Sequence, residues 1–139
     1  MKVSDAMART ISTVSPTDSI ERAAQLMKQE DSGFLPVCQD DRLIGVITDR
    51  DIVIRGIAGQ ADLRHAPVAQ FMSAEAHSIQ RDAELDDAAR IMNEHEIRRL
   101  PVVEDGGRVV GVLSHGNLVQ AMQSDGAADV ATLGVTRGA

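Results

Sequence analysis

The chain has 139 residues, a net charge of −7, a hydrophobic fraction of 43%, two Phe and neither Trp nor Tyr. That length suits one compact domain with an aliphatic core. The acidic balance and the lack of aromatic stacking platforms argue against a nucleic-acid binder, and no apolar run approaches the roughly 20 residues of a membrane span.

In chain order, "VSDAM" (3 to 7) is followed by "TISTV" (10 to 14), which reads as a short strand. In "SIERAAQLM" (19 to 27), Ile20, Ala23, Ala24 and Met27 fall at i, i+3, i+4 and i+7, one face of an amphipathic helix. "FLPVC" (34 to 38) and "RLIGVIT" (42 to 48), joined by a polar turn, read as a hairpin. Pro36 cannot donate to a ladder, which points to an edge position or a bulge. "DRDIVIRGIA" then closes the series as a helix, and Gly59 to Pro67 forms a bridge.

After the bridge the series is written again. "VAQFM" (68 to 72) matches "VSDAM", and "AHSI" is the matching strand. "ELDDAARIM" (84 to 92) repeats the helix with Leu85, Ala88, Ala89 and Met92. "RLPVV" (99 to 103) and "RVVGVLS" (108 to 114) repeat the hairpin, and "HGNLVQAM" the closing helix. Pro36 and Pro101 are 65 apart, Gly45 and Gly111 are 66 apart, and the extra residue falls in the turn where "QDD" becomes "EDGG". Turns are where insertions are tolerated. A segment of about 60 residues buries too little surface to be comfortably stable alone, so the repeats are expected to share one core about an approximate twofold axis. The expected division is 1–62, 63–123 and a Gly- and Ala-rich tail at 124–139, read as a frayed helix or mobile end.

The corner between each hairpin and its closing helix carries the same chemistry twice. Thr48 and Asp51 stand three apart in "GVITDRDIV", and Ser114 and Asn117 hold the same places in "GVLSHGNLV". One reading is a capping box, with Thr48 as N-cap and Asp51 reaching back to its N–H. The other uses the same geometry for a ligand. A helix N-terminus offers unpaired N–H groups and the positive end of a dipole to a phosphate. A hydroxyl there can donate to a phosphate oxygen, and a carboxylate one turn on can accept from both hydroxyls of a ribose. The two readings are compatible. Arg50, between the pair, is either a solvated helix-start residue or a phosphate contact. Arg98 and Arg99 precede the second "LPV". Adjacent residues on a strand point to opposite faces, so one of them is expected toward a phosphate.

The ordered set of h-x-x-x-M, P-x-x-x-h-x-x-A-x-x-M, L-P-V and G-V-h-[TS]-x-x-[DN], occurring twice over residues 3 to 122, resembles a tandem pair of CBS domains, the Bateman module. The chain resembles the small stand-alone bacterial CBS-pair proteins in particular. One departure is Arg81 where the first copy has Pro16. The resemblance implies an α/β fold of two intertwined β-α-β-β-α repeats, with clefts that hold adenosine-containing ligands, often in a disc-shaped dimer. It implies an adenine slot lined by Thr13, Val14, Leu35, Pro36 and Val37 in the first half. In the second half the slot is Ser78, Ile79, Leu100, Pro101 and Val102. Each of these is also a plausible core residue.

Enzyme readings find no support in spacing. His65, His77, His95 and His115 are scattered, without a metal-ligand pattern. The single cysteine, Cys38, lies in an expected strand, where a buried inert thiol is the default, and it fits a reducing compartment. No nucleophile elbow, Walker A or dinucleotide glycine pattern occurs, and Asp40/Asp41 and Asp86/Asp87 read as a turn and a solvated helix face. "MKVSDAMARTIS" lacks the apolar stretch of a secretory signal. The expectation is a cytoplasmic, non-catalytic sensor with no resident cofactor and no metal, binding AMP, ADP or ATP foremost and S-adenosylmethionine or NAD(H) alternatively. It is expected as a homodimer acting on an effector protein, away from membranes and nucleic acid. The rival expectation is a ligand-independent dimerising scaffold or regulatory subunit.

Overall fold

The computed structural model describes residues 1–9, 11–59, 61–74 and 76–124, so the expected tail lies outside them beyond Ser124. The elements in chain order are α1 (Val3–Ala6), α2 (Ile20–Glu30), β1 (Phe34–Gln39), β2 (Arg42–Thr48) and α3 (Asp49–Asp51), which runs on as a π-helical segment over Ile52–Ile57. After a short 3-10 turn at Val68–Gln70 come β3 (Ile79–Gln80), α4 (Leu85–His95), β4 (Arg99–Glu104), β5 (Arg108–Ser114) and α5 (His115–Ser124). This is the mixed α/β fold expected of the repeats.

The chain forms two compact units, one of Ser12–Ala76 and one that joins Met1–Ile11 to the chain from His77 onward. In the first unit, the Ser19 hydroxyl caps α2 by accepting the Arg22 N–H at 3.1 Å. The first amides of the helix donate to the bridge, Ile20 to the Ala66 carbonyl and Glu21 to that of Leu63. The helix buries Ile20, Ala23, Leu26 and Met27. β1 and β2 pair antiparallel from Phe34 opposite Thr48 to Gln39 opposite Arg42. In the other unit, α4 buries Leu85, Ala88, Ala89 and Met92, and β4 pairs with β5 from Arg99 opposite Ser114 to Glu104 opposite Arg108.

The prolines resolve toward bulges. The register slips between Val37 and Cys38 and again between Val102 and Val103, just past Pro36 and Pro101. The missing N–H leaves a gap in the ladder, and the bulge accommodates it. The leading strands are shorter than expected. Of residues 10–14, Thr10 lies outside the described residues and Val14 alone pairs, in parallel with Val37. The reason lies one residue on: the Ser15 N–H donates to the Asp18 carboxylate at 2.8 Å, which turns the chain toward α2. The second copy goes further, with Ile79 and Gln80 paired to Val102 and Val103.

The repeats exchange their opening segments. α1 of the first repeat packs in the unit of the second, where Ala8 and Val112 each donate to the other's carbonyl at 2.9 and 3.0 Å. The opening segment of the second repeat packs in the first unit, where Val46 and Ser73 do the same at 3.0 and 2.8 Å. Both contacts need glycine at the neighbouring strand position. A Cβ on Gly45 would stand 2.6 Å from the Ser73 carbonyl oxygen, and one on Gly111 would stand 2.6 Å from that of Ala8. Through this exchange each of the two core clusters draws on both repeats. Val68 and Phe71 join Val14, Ile20, Leu35, Val37 and Ile47 in one cluster. Val3 and Met7 join Leu85, Met92, Leu100, Leu113 and Leu118 in the other.

Candidate functional site

Each corner is built where a strand runs directly into a helix without a loop. In the first, Thr48 keeps extended backbone angles and Asp49 starts the helix. The Thr48 Oγ1 accepts the Asp51 N–H at 3.2 Å and donates to Asp51 Oδ2 at 3.0 Å, and the Thr48 N–H donates to the same oxygen at 3.0 Å. The capping box is therefore complete. It also changes the expected division of labour. The Thr48 proton is held by Asp51, so a phosphate would have to be met by helix N–H groups rather than by the hydroxyl. Asp51 Oδ1 takes no part in the box. Its neighbour is Arg55 Nε at 4.0 Å, and the side chain is 15% exposed. That oxygen is an acceptor suited to a hydroxyl pair.

In the second corner, Ser114 Oγ accepts the Asn117 N–H at 3.0 Å and donates to Asn117 Oδ1 at 2.6 Å. The geometry repeats, but Asn117 has a single acceptor oxygen, already accepting from Ser114, and where Asp51 has a second carboxylate oxygen it has an NH₂ donor.

Other expected residues fall in two classes. Val14, Leu35, Val37, Ile79, Leu100 and Val102 are buried in the core clusters, and Pro36 and Pro101 are buried beside them in sequence. Thr13, Arg50 and Arg98 are exposed, while Arg99 and Ser78 are half-buried. The Arg50 N–H donates to the Asp49 carboxylate at 2.8 Å. Cys38 is a half-buried thiol, pushed up by burial and by the nearby Asp41 carboxylate against the lowering effect of a Thr13 hydrogen bond. That direction favours the protonated, unreactive form. Among the described residues no three His, Cys, Asp or Glu side chains gather in a way that could hold a metal ion, and no helix is long and apolar enough to cross a membrane.

Several neighbours of the corners are not apparent from the motif alone. Asp49 closes over Gly33: its N–H donates to the Gly33 carbonyl at 2.9 Å, and its carboxylate fills the space a Gly33 Cβ would need. Phe34 stands opposite Thr48, as Arg99 stands opposite Ser114. Arg55 donates to the Phe71 carbonyl at 3.2 Å, tying the first corner to the exchanged segment. The available signal is positional: these are the matched places at which the two repeats differ in charge.

Comparison with known proteins agrees with this architecture. The CBS domain model matches residues 3–57 and 68–124. The chain is 40% identical over 131 residues to the CBS domain-containing protein YhcV of Bacillus subtilis, covering 94% of this chain and 92% of that protein. A structure of Hypoxic Response Protein I with two coordinated zinc ions superposes with a TM-score of 0.80 at 32% identity, covering 86% and 98% of the two chains. CBSX2, a CBS-pair protein from Arabidopsis thaliana, has a structure in complex with AMP that superposes with a TM-score of 0.79 at 30% identity, covering 90% and 98%. With both repeats matched and nearly its whole length aligned, the chain belongs to the CBS-domain family as a tandem CBS pair.

Proposed function

We propose that the protein is a non-catalytic sensor that binds an adenosine-containing ligand, AMP, ADP or ATP foremost, at its strand-to-helix corners. The observation that carries this is the twofold recurrence of a hydroxyl and a short polar side chain, in the same hydrogen-bonded arrangement, at the head of a helix. A capping box alone would not call for the same pair in both repeats, since α4 begins at Glu84 with no side-chain cap. The likeness to CBSX2, whose structure holds AMP, supports the ligand class. A cytoplasmic homodimer acting on an effector protein completes the reading. The closing segment supports the dimer: Val53, Ile54 and Ile57 are 51%, 55% and 57% exposed. Three large apolar side chains on one short segment form a surface that a symmetric contact would cover.

The test is a thermal-shift panel of AMP, ADP, ATP, S-adenosylmethionine and NAD(H). A ligand at 100 times its dissociation constant adds about 2.7 kcal/mol of stability, which raises the melting temperature by several degrees. No shift with any of them at millimolar concentration would favour the ligand-independent scaffold.

A further inference from the structure

The two corners share a backbone plan and differ in charge at six matched positions around it. The first is framed by Gly33, Phe34, Asp49, Arg50, Asp51 and Arg55. The second has Arg98, Arg99, His115, Gly116, Asn117 and Ala121 in those places. The matching is set by bonds as well as by alignment. The Asp49 N–H donates to the Gly33 carbonyl at 2.9 Å, and the His115 N–H donates to the Arg98 carbonyl at 2.7 Å. Residues directly opposite in an antiparallel pair place their side chains on the same face. Arg99 therefore lies on the face of Ser114, where the first corner puts an aromatic ring on the face of Thr48.

We infer that Arg99 makes the corner at Ser114 and Asn117 the site for the more highly phosphorylated adenosine ligand, while the corner at Thr48 and Asp51 takes adenosine ligands of low charge. This rests on the proposed function. Arg99 is half-buried, and among the described residues its side chain makes no hydrogen bond or ion pair. A guanidinium without a protein counter-charge is open to an anion, and its planar donor fork suits phosphate better than any other side chain. Asn117 presents an NH₂ donor instead of a carboxylate, so nothing at the matched positions repels the anion. In the first corner, the Asp49 and Asp51 carboxylates are balanced by Arg50 and by Arg55, which stands 4.0 Å from Asp51, so that corner carries no excess of positive charge, whereas Arg98 and Arg99 make the second one cationic. What remains is a ribose acceptor beside an aromatic face, a setting for an uncharged or weakly charged nucleoside.

The full chain is titrated with adenosine and with ATP, without divalent ions, and followed by hydrogen–deuterium exchange and calorimetry. ATP is expected to slow exchange chiefly over residues 111–118, and adenosine chiefly over 45–52. Arg99→Gln keeps the aliphatic stem and should weaken ATP by about tenfold, the loss of one charge-assisted bond, while changing adenosine by less than about threefold. Phe34→Arg, a gain at the other corner, should bring ATP protection to 45–52. Greater ATP protection at 45–52 in the unaltered chain, or equal losses of ATP and adenosine in Arg99→Gln, would overturn the sorting while leaving the adenosine-sensor reading intact. Binding of neither compound would remove both.

Discussion

The unit around Thr48 and the unit around Ser114 are built to one plan, yet they are furnished differently where a ligand would sit. Inside, the matched residues are interchangeable: Leu35 and Leu100, Val37 and Val102, and Ile47 and Leu113 are all completely buried. At the corners they are not: Phe34 answers to Arg99, Asp49 to His115, Asp51 to Asn117 and Arg55 to Ala121. The repeats have kept what folds the chain and diverged in what meets solvent. Packing constrains volume and polarity tightly, whereas an exposed position is free to change charge at little cost in stability.

The sharpest way to break the likeness of the two interiors is Ile47→Ala against Leu113→Ala. Each should cost about 3 kcal/mol by urea unfolding, from lost burial and the cavity left behind, and the two values should lie close together. A much smaller loss in one would mean that its cluster contributes little to cooperative unfolding. Next in size, Gly45→Ala and Gly111→Ala each press a methyl group against a carbonyl oxygen 2.6 Å away. About 2 kcal/mol each is expected from such overpacking. Hydrogen exchange should quicken at Val46 and Ser73 in the first variant and at Ala8 and Val112 in the second, which locates the damage in the exchanged segments.

Smaller still, Thr48→Ala and Ser114→Ala each remove an N-cap, worth about 1 kcal/mol. The pair is informative because stability and ligand binding should separate: both variants lose a similar amount of stability, while adenosine binding suffers more from Thr48→Ala.

The smallest effect concerns pH and the bridge of the first unit. The Asp62 hydrogen bond and charge hold the exposed His65 imidazole above its ordinary value, and His65 in turn holds Asp62 below the carboxylate range. A raised imidazole stabilises the fold below its ordinary value and ceases to do so as pH rises through the raised one. A lowered carboxylate stabilises above its ordinary value and ceases to do so as pH falls through the lowered one. The pair therefore contributes between the carboxylate and imidazole ranges and fades on either side. An NMR titration of the His65 ring should show its midpoint fall toward the ordinary imidazole value in Asp62→Ala.

How much of this could be read from sequence follows from the range of the forces involved. The helices over Ile20–Glu30 and Leu85–His95 were legible because their apolar spacing is local. So were the hairpins, whose strands lie within a few residues of each other. The exchange of opening segments was hidden, because it pairs Ala8 with Val112 and Val46 with Ser73, and no local pattern records such partners. Gly45 and Gly111 carried a trace of it, as residues tolerated in a strand where another backbone comes close. The π-helical segment over Ile52–Ile57 was also missed, since its apolar residues fit an α-helical period equally well. At the corners, the residue types point to Thr48 and Asp51, but the bond by which the Thr48 hydroxyl donates to Asp51 is a matter of rotamers that spacing does not record.

Binding of adenosine ligands at the strand-to-helix corners can be followed through the backbone amide resonances while AMP is added to the intact chain. Saturable shifts are expected to concentrate at residues 48–52 and 114–118 and to be abolished at the first corner by Asp51→Ala, in a variant whose spectrum otherwise remains that of the folded protein. Saturable shifts clustered elsewhere, or no shifts at millimolar AMP, would contradict binding at these corners.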